Sequence, residues 1–212
     1  QSVQARWNYI GQGTGVDTAG VKLPDATSNI WETKYTLSNL RWPNPFDLAV
    51  TLEGQQWDAG EVAHDYLRLG LEWKQQFYYA NKRKVSARFY GGYFLKNTFR
   101  ERKTIGFGAT DGFARGTLSL AENGYSDYKY DYIFVGRNEA SGLGGRQVNI
   151  AEGGFKYAFG PAYSSTGDVG HSNNYLFALN LEADLPKRLP LGLPLKPYFD
   201  LGYADLGYLP AG

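Results

Sequence analysis

Two-residue alternation of apolar and polar side chains runs from Tyr66 to Leu95. Large apolar residues take every second position on two arms, Gln75 is the one polar interruption, and a polar turn at 81–83 separates the arms. Because successive side chains of a strand point to opposite faces, the pattern predicts a β-hairpin with one apolar and one charged face. Each arm has about a dozen residues, against about 5–6 in an ordinary strand, which is enough to cross a bilayer at a tilt.

The turn also predicts how the two arms pair. Folding about Lys82 places Phe77 opposite Ala87 and Trp73 opposite Gly91, so that a large ring covers a bare glycine. Opposite charges on the other face can pair in a watery lumen. The residues predicted to face lipid, here and in a later strand, are Leu69, Leu71, Trp73, Phe89, Tyr93, Leu179 and Leu181. The residues predicted to form the lumen charge cluster are Arg68, Glu72, Lys74, Arg88, Glu182 and Asp200.

Composition is compatible with the same class. Aromatic residues make up 16% of the chain and glycine occurs 27 times, which suits strands, turns and membrane interfaces. The mean hydropathy is negative, but a barrel with a polar lumen has an ordinary average because every second residue faces inward. Cysteine and methionine are absent, which excludes disulfides and thiolate metal sites. The net charge of +1 gives no indication of a nucleic-acid partner.

Alternation recurs less cleanly along the rest of the chain and predicts about ten or eleven strands in total. Leu118 and Leu120 lead to Asn123-Gly124, a dipeptide typical of hairpin turns, and residues 128–135 and 155–159 also alternate as strands do. The prediction for residues 1–212 is one all-β domain, an antiparallel transmembrane β-barrel of about 10–12 strands. The absence of methionine suggests a mature or excised segment, so a partial chain is one interpretation of the barrel.

Alternation alone leaves open which face is inside. A soluble sandwich or lipocalin-like barrel would show the same pattern with the apolar face as its core. Strand length, aromatic strand ends and mixed charges on one face favour the membrane, with the bacterial outer membrane as the expected location. One loop is awkward for this topology: counting turns puts 161–174 on the same side as 81–83, where barrels usually have short turns.

Two stretches resemble known families of barrels. NLEADLPKRLPLGLPLKPYFDLGYA (180–204) resembles the late strand pair of the bacterial surface-antigen superfamily, the assembly-factor barrels. Together with DYKYDYIFVGRNEASGLGGRQVNIAEGGFKYAFG (127–160), it resembles the C-terminal membrane barrel of zinc-aminopeptidase-like envelope proteins of Bacteroidetes. The resemblance implies an anchoring barrel of a longer protein, with any peptidase domain ahead of residue 1. The implied partners are outer-membrane lipid or lipopolysaccharide and an upstream periplasmic domain or other envelope proteins.

Motifs for chemistry are scarce. The zinc-protease motif HExxH does not occur, and the two histidines are His64 and His171, so we expect no metal and no cofactor. Weak catalytic candidates are the pairs Asp58 with His64 and Asp168 with His171, because a carboxylate can orient a histidine that activates water. The ordinary interpretation is an exposed loop histidine beside loop acids. Three hypotheses follow: an anchoring or translocating barrel without catalysis, a small passive pore, and a hydrolase at the barrel rim.

Overall fold

A computed structural model describes residues 1–12, 25–59, 62–81, 83–98, 117–123, 133–135, 147–157, 170–185 and 196–205. This part of the chain is built from β-strands and contains no α-helix, which confirms the all-β class. No helix in the described ranges is long and apolar enough to span a membrane.

Seven long strands form one antiparallel sheet, called here the principal sheet. They are β1 Ser2–Gln12, β2 Ala26–Asn39, β3 Phe46–Ala59, β4 Val62–Ala80, β5 Arg83–Asn97, β11 Tyr175–Ala183 and β12 Tyr198–Asp205. The shorter strands are β6 Leu118–Ser119, β7 Glu122–Asn123, β8 Ile133–Val135, β9 Gln147–Asn149 and β10 His171–Ser172. The spatial order of the principal sheet is β1-β2-β3-β4-β5-β11-β12. Up to β5 each strand pairs with the next one along the chain, whereas β11 pairs directly with β5.

The predicted hairpin forms, but its register differs from the prediction by two residues. Trp73 lies opposite Phe89 instead of Gly91, and Phe77 lies opposite Val85 instead of Ala87. The ladder has an irregularity between Tyr78 and Ala80, as a β-bulge produces, and this moves the centre of the pairing. Between Arg68 and Tyr78 a shift of two residues preserves the alternation, so these side chains stay on their predicted faces. A second irregularity, between Leu67 and Arg68, changes the pairing beyond it by one residue, and Leu67 lies opposite Lys96.

Large rings do cover glycines, although not the predicted ring. Phe177 of β11 is directly opposite Gly91, and a β-carbon added there would lie 3.3 Å from the phenyl ring. Trp31 is directly opposite Gly54, and its indole occupies the space of the missing side chain. Neither position could take a larger residue unless the facing ring moved.

The middle of the chain is not arranged as predicted. Leu118 and Ser119 pair with residues 171–172, and β7 pairs with β9, so Asn123-Gly124 does not join two strands of the principal sheet. Residues 151–156 are not in a strand and Tyr157 forms only an isolated bridge, so the strand predicted at 155–159 does not form in its described part, and 158–159 lie outside the described residues. Such short segments carry too few residues for a two-residue period to identify them.

The two ends of the principal sheet are named by the residue numbers that connect β3 to β4 and β4 to β5, 60–61 and 81–82. β5 ends and β11 begins at the 60–61 end, so the chain between Asn97 and Tyr175 leaves and returns on the same side. The prediction for the 161–174 loop assumed that the stretch before it adds further strands to the barrel. Because β11 pairs directly with β5, the chain re-enters the principal sheet at the 60–61 end, away from residues 81–82.

β1 and β12 are the edges of the principal sheet, and within the described residues they do not pair with each other. The predicted count of about 10–12 strands therefore does not describe this sheet, which has seven. A closed barrel is not formed by the part of the chain that the structure describes.

Candidate functional site

One face of the principal sheet is apolar and exposed, and is called here the apolar face. Leu71 is 39% exposed, Trp73 44% and Phe177 46%. All seven residues predicted to face lipid lie on strands whose alternation and register place them on this face. Cross-strand rows such as Trp73, Phe89, Leu179 and Leu201 continue it over four strands.

Gln75 interrupts the apolar face without exposing its amide. The residue is 8% exposed, and its side-chain nitrogen donates hydrogen bonds of 3.2 Å to the carbonyl oxygens of Pro45 and Gln76. A buried amide that is hydrogen-bonded to backbone carries a much smaller penalty than an unpaired one. The amide of this one polar residue in the apolar run is thus bound to the backbone of the β2–β3 connection and of its own strand.

The opposite face, called here the charged face, is covered by two segments of the same chain, 117–121 and 150–157, called here the cover. Leu118 and Leu120 of the cover are buried, and Phe155 is 7% exposed. These side chains lie against glycines of the sheet: Leu118 against Gly92, and both Leu120 and Phe155 against Gly202. The hydrophobic core of the described residues is therefore between the charged face and the cover.

Arg68 is the centre of the first ionic group on the charged face. It lies 2.7 Å from the carboxylate of Glu53 on β3 and 2.7 Å from that of Glu152 in the cover. The hydroxyl of Tyr66 donates to Glu53 at 2.5 Å, and the guanidinium also donates to the carbonyl of Thr117 at 3.3 Å. Arg68, Glu53 and Glu152 are all less than a tenth exposed. Buried charges of this kind persist only when they are paired and hydrogen-bonded.

Arg88 is the centre of a second group. Its guanidinium donates to Glu72 at 2.6 Å, to the side-chain oxygen of Asn180 at 2.9 Å and to the backbone carbonyl of Glu152 at 2.7 Å. Asn180 in turn donates to Asp200 at 3.0 Å. The group therefore links β4, β5, β11 and β12 to the cover.

Lysines complete the pairing of the charged face. Lys74 binds Glu72 at 3.1 Å, and Lys156 of the cover binds Glu182 at 2.7 Å. All six residues of the predicted lumen cluster thus lie on the charged face, in three groups that the cover links: the carbonyl of Glu152 accepts from Arg88, and the backbone N–H of Lys156 donates to Asp200 at 3.2 Å. Arg68 is in the first group, Glu72, Lys74, Arg88 and Asp200 are in the second, and Glu182 is in the third.

Two acids of the first group were missed by the prediction. Glu53 follows the alternating residues Leu48, Val50 and Leu52, so the period already indicated that it shares a face with Arg68. Glu152 precedes two glycines in a segment without alternation, and no local signal could have placed it.

The histidine candidates occupy different surroundings. His64 is directly opposite Trp57, and the two rings stack with centroids 5.8 Å apart. Asp58 follows Trp57 and, by alternation, belongs to the other face of β3. Both His64 and Asp58 line a cleft at the 60–61 end. Asp65, the sequence neighbour of His64, forms an ion pair of 2.5 Å with Lys96.

His171 lies in β10, directly opposite Ser119, and is 9% exposed. Its predicted partner Asp168 lies outside the described residues. No group of three or more His, Cys, Asp or Glu side chains in the described ranges is arranged to hold a metal ion.

No protein-family model, no curated protein and no solved structure matches this chain.

Asp184 connects the end of β11 to the beginning of β5, outside the strands themselves. Its carboxylate accepts a hydrogen bond of 3.0 Å from the backbone N–H of Lys84, and the ammonium of Lys196 lies 3.4 Å away. The hydrogen bond from Lys84 is the main cause that holds the pKa of Asp184 below its ordinary value. The contact stabilises the fold above the unfolded-state pKa, and this stabilisation is lost as the pH falls through the lower folded-state pKa.

We expect the Asp184→Asn variant to lose part of the acid sensitivity of the wild type. The effect is below about 1 kcal/mol because the carboxylate is partly exposed and solvent screens its contacts. The measurement is the free energy of unfolding between about pH 6 and pH 2. Asp25→Asn, an exposed aspartate ahead of β2, is the control and keeps the wild-type slope. Equal acid slopes for Asp184→Asn and the wild type would contradict the assignment.

Proposed function

We propose that the principal sheet is part of an outer-membrane β-barrel that anchors, or helps translocate, a larger bacterial envelope protein and has no catalysis of its own. The observation that carries the proposal is that the charged face of the sheet is buried whereas the apolar face is exposed. Glu53 and Arg68 are 3% and 5% exposed, whereas Leu71 and Trp73 are 39% and 44% exposed. In water the hydrophobic effect favours the opposite arrangement, but in lipid the apolar face has its preferred solvent.

The dimensions of the apolar face agree with a bilayer. Leu67 to Phe77 on β4 spans ten residue steps, about 34 Å along the strand and about 26 Å at a tilt of roughly 40°. Outer-membrane barrels carry an apolar band of about 25 Å. Asp58 and Asp65 mark the 60–61 end of this face, and Tyr79 lies at the other, where aromatic side chains suit the membrane interface.

The topology supports an orientation. Barrels usually have their longer connections outside and their shorter turns on the periplasmic side. The longest connection, from Asn97 to Tyr175, is at the 60–61 end, so that end would face outward. β1 begins at the 81–82 end, so a domain ahead of it would lie in the periplasm. This arrangement suits the anchor of a periplasmic domain, as the resemblance to zinc-aminopeptidase-like envelope proteins implies.

Strand direction constrains how a barrel would close. Six antiparallel pairings connect β1 to β12, so these two edge strands run in the same direction. Direct pairing between them would be parallel, and a second copy related by an axis along the membrane normal would meet the same restriction. Closure by antiparallel pairs alone therefore takes an odd number of further strands. The total would then be even, as in bacterial outer-membrane barrels.

The cover favours an anchor over the alternative of an open passive pore. It lies on the charged face, which would be the lumen, and forms ion pairs there through Glu152 and Lys156. Barrels of this type are often closed by segments that fold into the lumen. A plugged barrel holds its protein in the membrane but conducts few ions.

Reconstitution tests the proposal. Refolded protein is mixed with preformed lipid vesicles and centrifuged in a density gradient, and its gel mobility is compared with and without boiling. We expect the protein to float with the vesicles, to resist extraction at alkaline pH and to migrate differently when unboiled. Protein that remains monodisperse in buffer without detergent, and does not float, would refute the membrane assignment. Steady channels of the wild type in planar bilayers would favour the pore over the anchor.

A further inference from the structure

We infer that Glu152 is the latch of a removable plug, and that loss of its contact with Arg68 opens an aqueous path along the charged face. The inference rests on the proposed function and adds a gating element to it. The plug consists of the cover, residues 117–121 and 150–157. The path is the part of the charged face beneath it.

Glu152 connects three parts of the molecule. One carboxylate oxygen lies 2.7 Å from Arg68 of the sheet, and the other accepts a hydrogen bond of 2.6 Å from the backbone N–H of Ser119. Its own carbonyl accepts from Arg88 at 2.7 Å. A single residue therefore joins both halves of the cover to each other and to the principal sheet.

The cover fits closely at the latch. Gly154 has a φ of +71°, and a β-carbon there would collide with Arg88 and lie 2.7 Å from Asn180. Gly153 approaches the backbone of Leu120 so closely that it has no room for a side chain. Close backbone approach at both glycines brings Glu152 to Arg68 in a fixed geometry.

The strands of the principal sheet pair with one another independently of the cover. The strands of the principal sheet are held by their own backbone ladders, which extend over 14 register pairs between β3 and β4 and over 14 between β4 and β5. The surface beneath the cover carries Glu72, Arg88, Asn180 and Asp200, which pair with each other across the strands. Because these groups retain partners and the backbone ladders remain, we expect the principal sheet to persist when the cover leaves, with Leu176 and Ala178 losing the apolar side chains that pack on them.

A cleft already reaches the latch from the side of β2 and β3. It is lined by Glu32, Lys34 and Thr51 and also by Arg68 and Glu152. Water and small ions can therefore approach the Arg68–Glu152 contact without crossing the hydrophobic core. Release of the cover would extend this cleft along the charged face.

The Glu152→Gln variant tests the latch by two measurements. The chain has no cysteine, so a single Ala178→Cys substitution places a thiol reporter beneath the cover, where Ala178 is 1% exposed. Removal of one charge from a buried pair is strongly destabilising, so we expect the thiol to be labelled by a charged, water-soluble reagent at least about tenfold faster in Glu152→Gln. Conductance steps in planar bilayers bathed in KCl should appear in Glu152→Gln and be rare in the wild type.

Two controls distinguish loss of the Glu152–Arg68 contact from general destabilisation of the fold. Glu32 lines the same cleft from β2, outside the Arg68–Glu152 contact, so Glu32→Gln should leave Ala178→Cys protected. Lys34→Cys should be labelled equally fast with and without the Glu152→Gln substitution. If Glu152→Gln does not refold, Glu152→Asp carries the test, because it keeps the charge but shortens its reach, and an intermediate rate is expected.

The measurements distinguish failure of the proposed function from failure of the latch. If the wild type does not float with lipid vesicles, the proposed function fails. If Glu152→Gln floats and shows the unboiled gel shift, yet Ala178→Cys stays protected and the bilayer silent, the latch is wrong while the anchor stands. Labelling of Glu152→Asp as slow as that of the wild type would also overturn the latch.

Discussion

Replacement of Arg68 by methionine is expected to lower the free energy of unfolding by about 3–5 kcal/mol. Arg68 lies between the carboxylates of Glu53 and Glu152, at 2.7 Å from each, and both acids are less than a tenth exposed. Without the guanidinium, two buried negative charges face each other and neither has its main partner. The measurement is equilibrium unfolding by urea in detergent micelles, followed by tryptophan fluorescence.

Lys74→Met is the matched control for this prediction. Lys74 is on the same face of the same strand and pairs with Glu72 at 3.1 Å, but its side chain is 49% exposed. An exposed pair contributes about 0–1 kcal/mol, so the control should differ little from the wild type. A loss of the same size in both variants would show that strand packing, and not the buried ion group, explains the effect.

A third variant separates the charge from the shape of the side chain. Buried ion groups can often be replaced as a whole by neutral or apolar residues without loss of stability. We therefore expect Glu53→Gln and Glu152→Gln, combined with Arg68→Met, to recover most of the lost stability. Failure to recover it would mean that the guanidinium acts through its geometry, for example through the hydrogen bond to Thr117.

Much of the principal sheet was predictable from sequence because the alternation that identifies its strands is local. The alternation around Leu69, Leu71 and Trp73 fixed both the strand and its faces, and Arg68 and Arg88 follow from the same period. The predicted register was wrong by two residues because the sequence does not reveal the irregularity near Tyr79. A shift of two residues changes the cross-strand partner of a residue but leaves it on the same face of the sheet.

The cover and the pairing of β5 with β11 could not be predicted. Strands of two or three residues, such as Leu118–Ser119, carry no measurable period. The contact between Glu152 and Arg68 depends on two close glycine approaches, which only the folded chain brings together. The sequence therefore identified which residues line the charged face but not what lies on it.

The second large effect is expected on the apolar face, where Leu71→Arg should reduce stability in lipid vesicles by about 2–4 kcal/mol. Leu71 lies near the middle of the band, opposite Val50 and Gly91, and is 39% exposed. In water an arginine at such an exposed position would cost about 0.5 kcal/mol or less. Leu95→Arg is the matched control, because Leu95 is 55% exposed but lies near the 60–61 end, where the cost in lipid falls to about 0–1 kcal/mol. Unfolding by guanidinium in vesicles should separate the two variants, and equal small losses in both would mean that the apolar face does not lie in lipid.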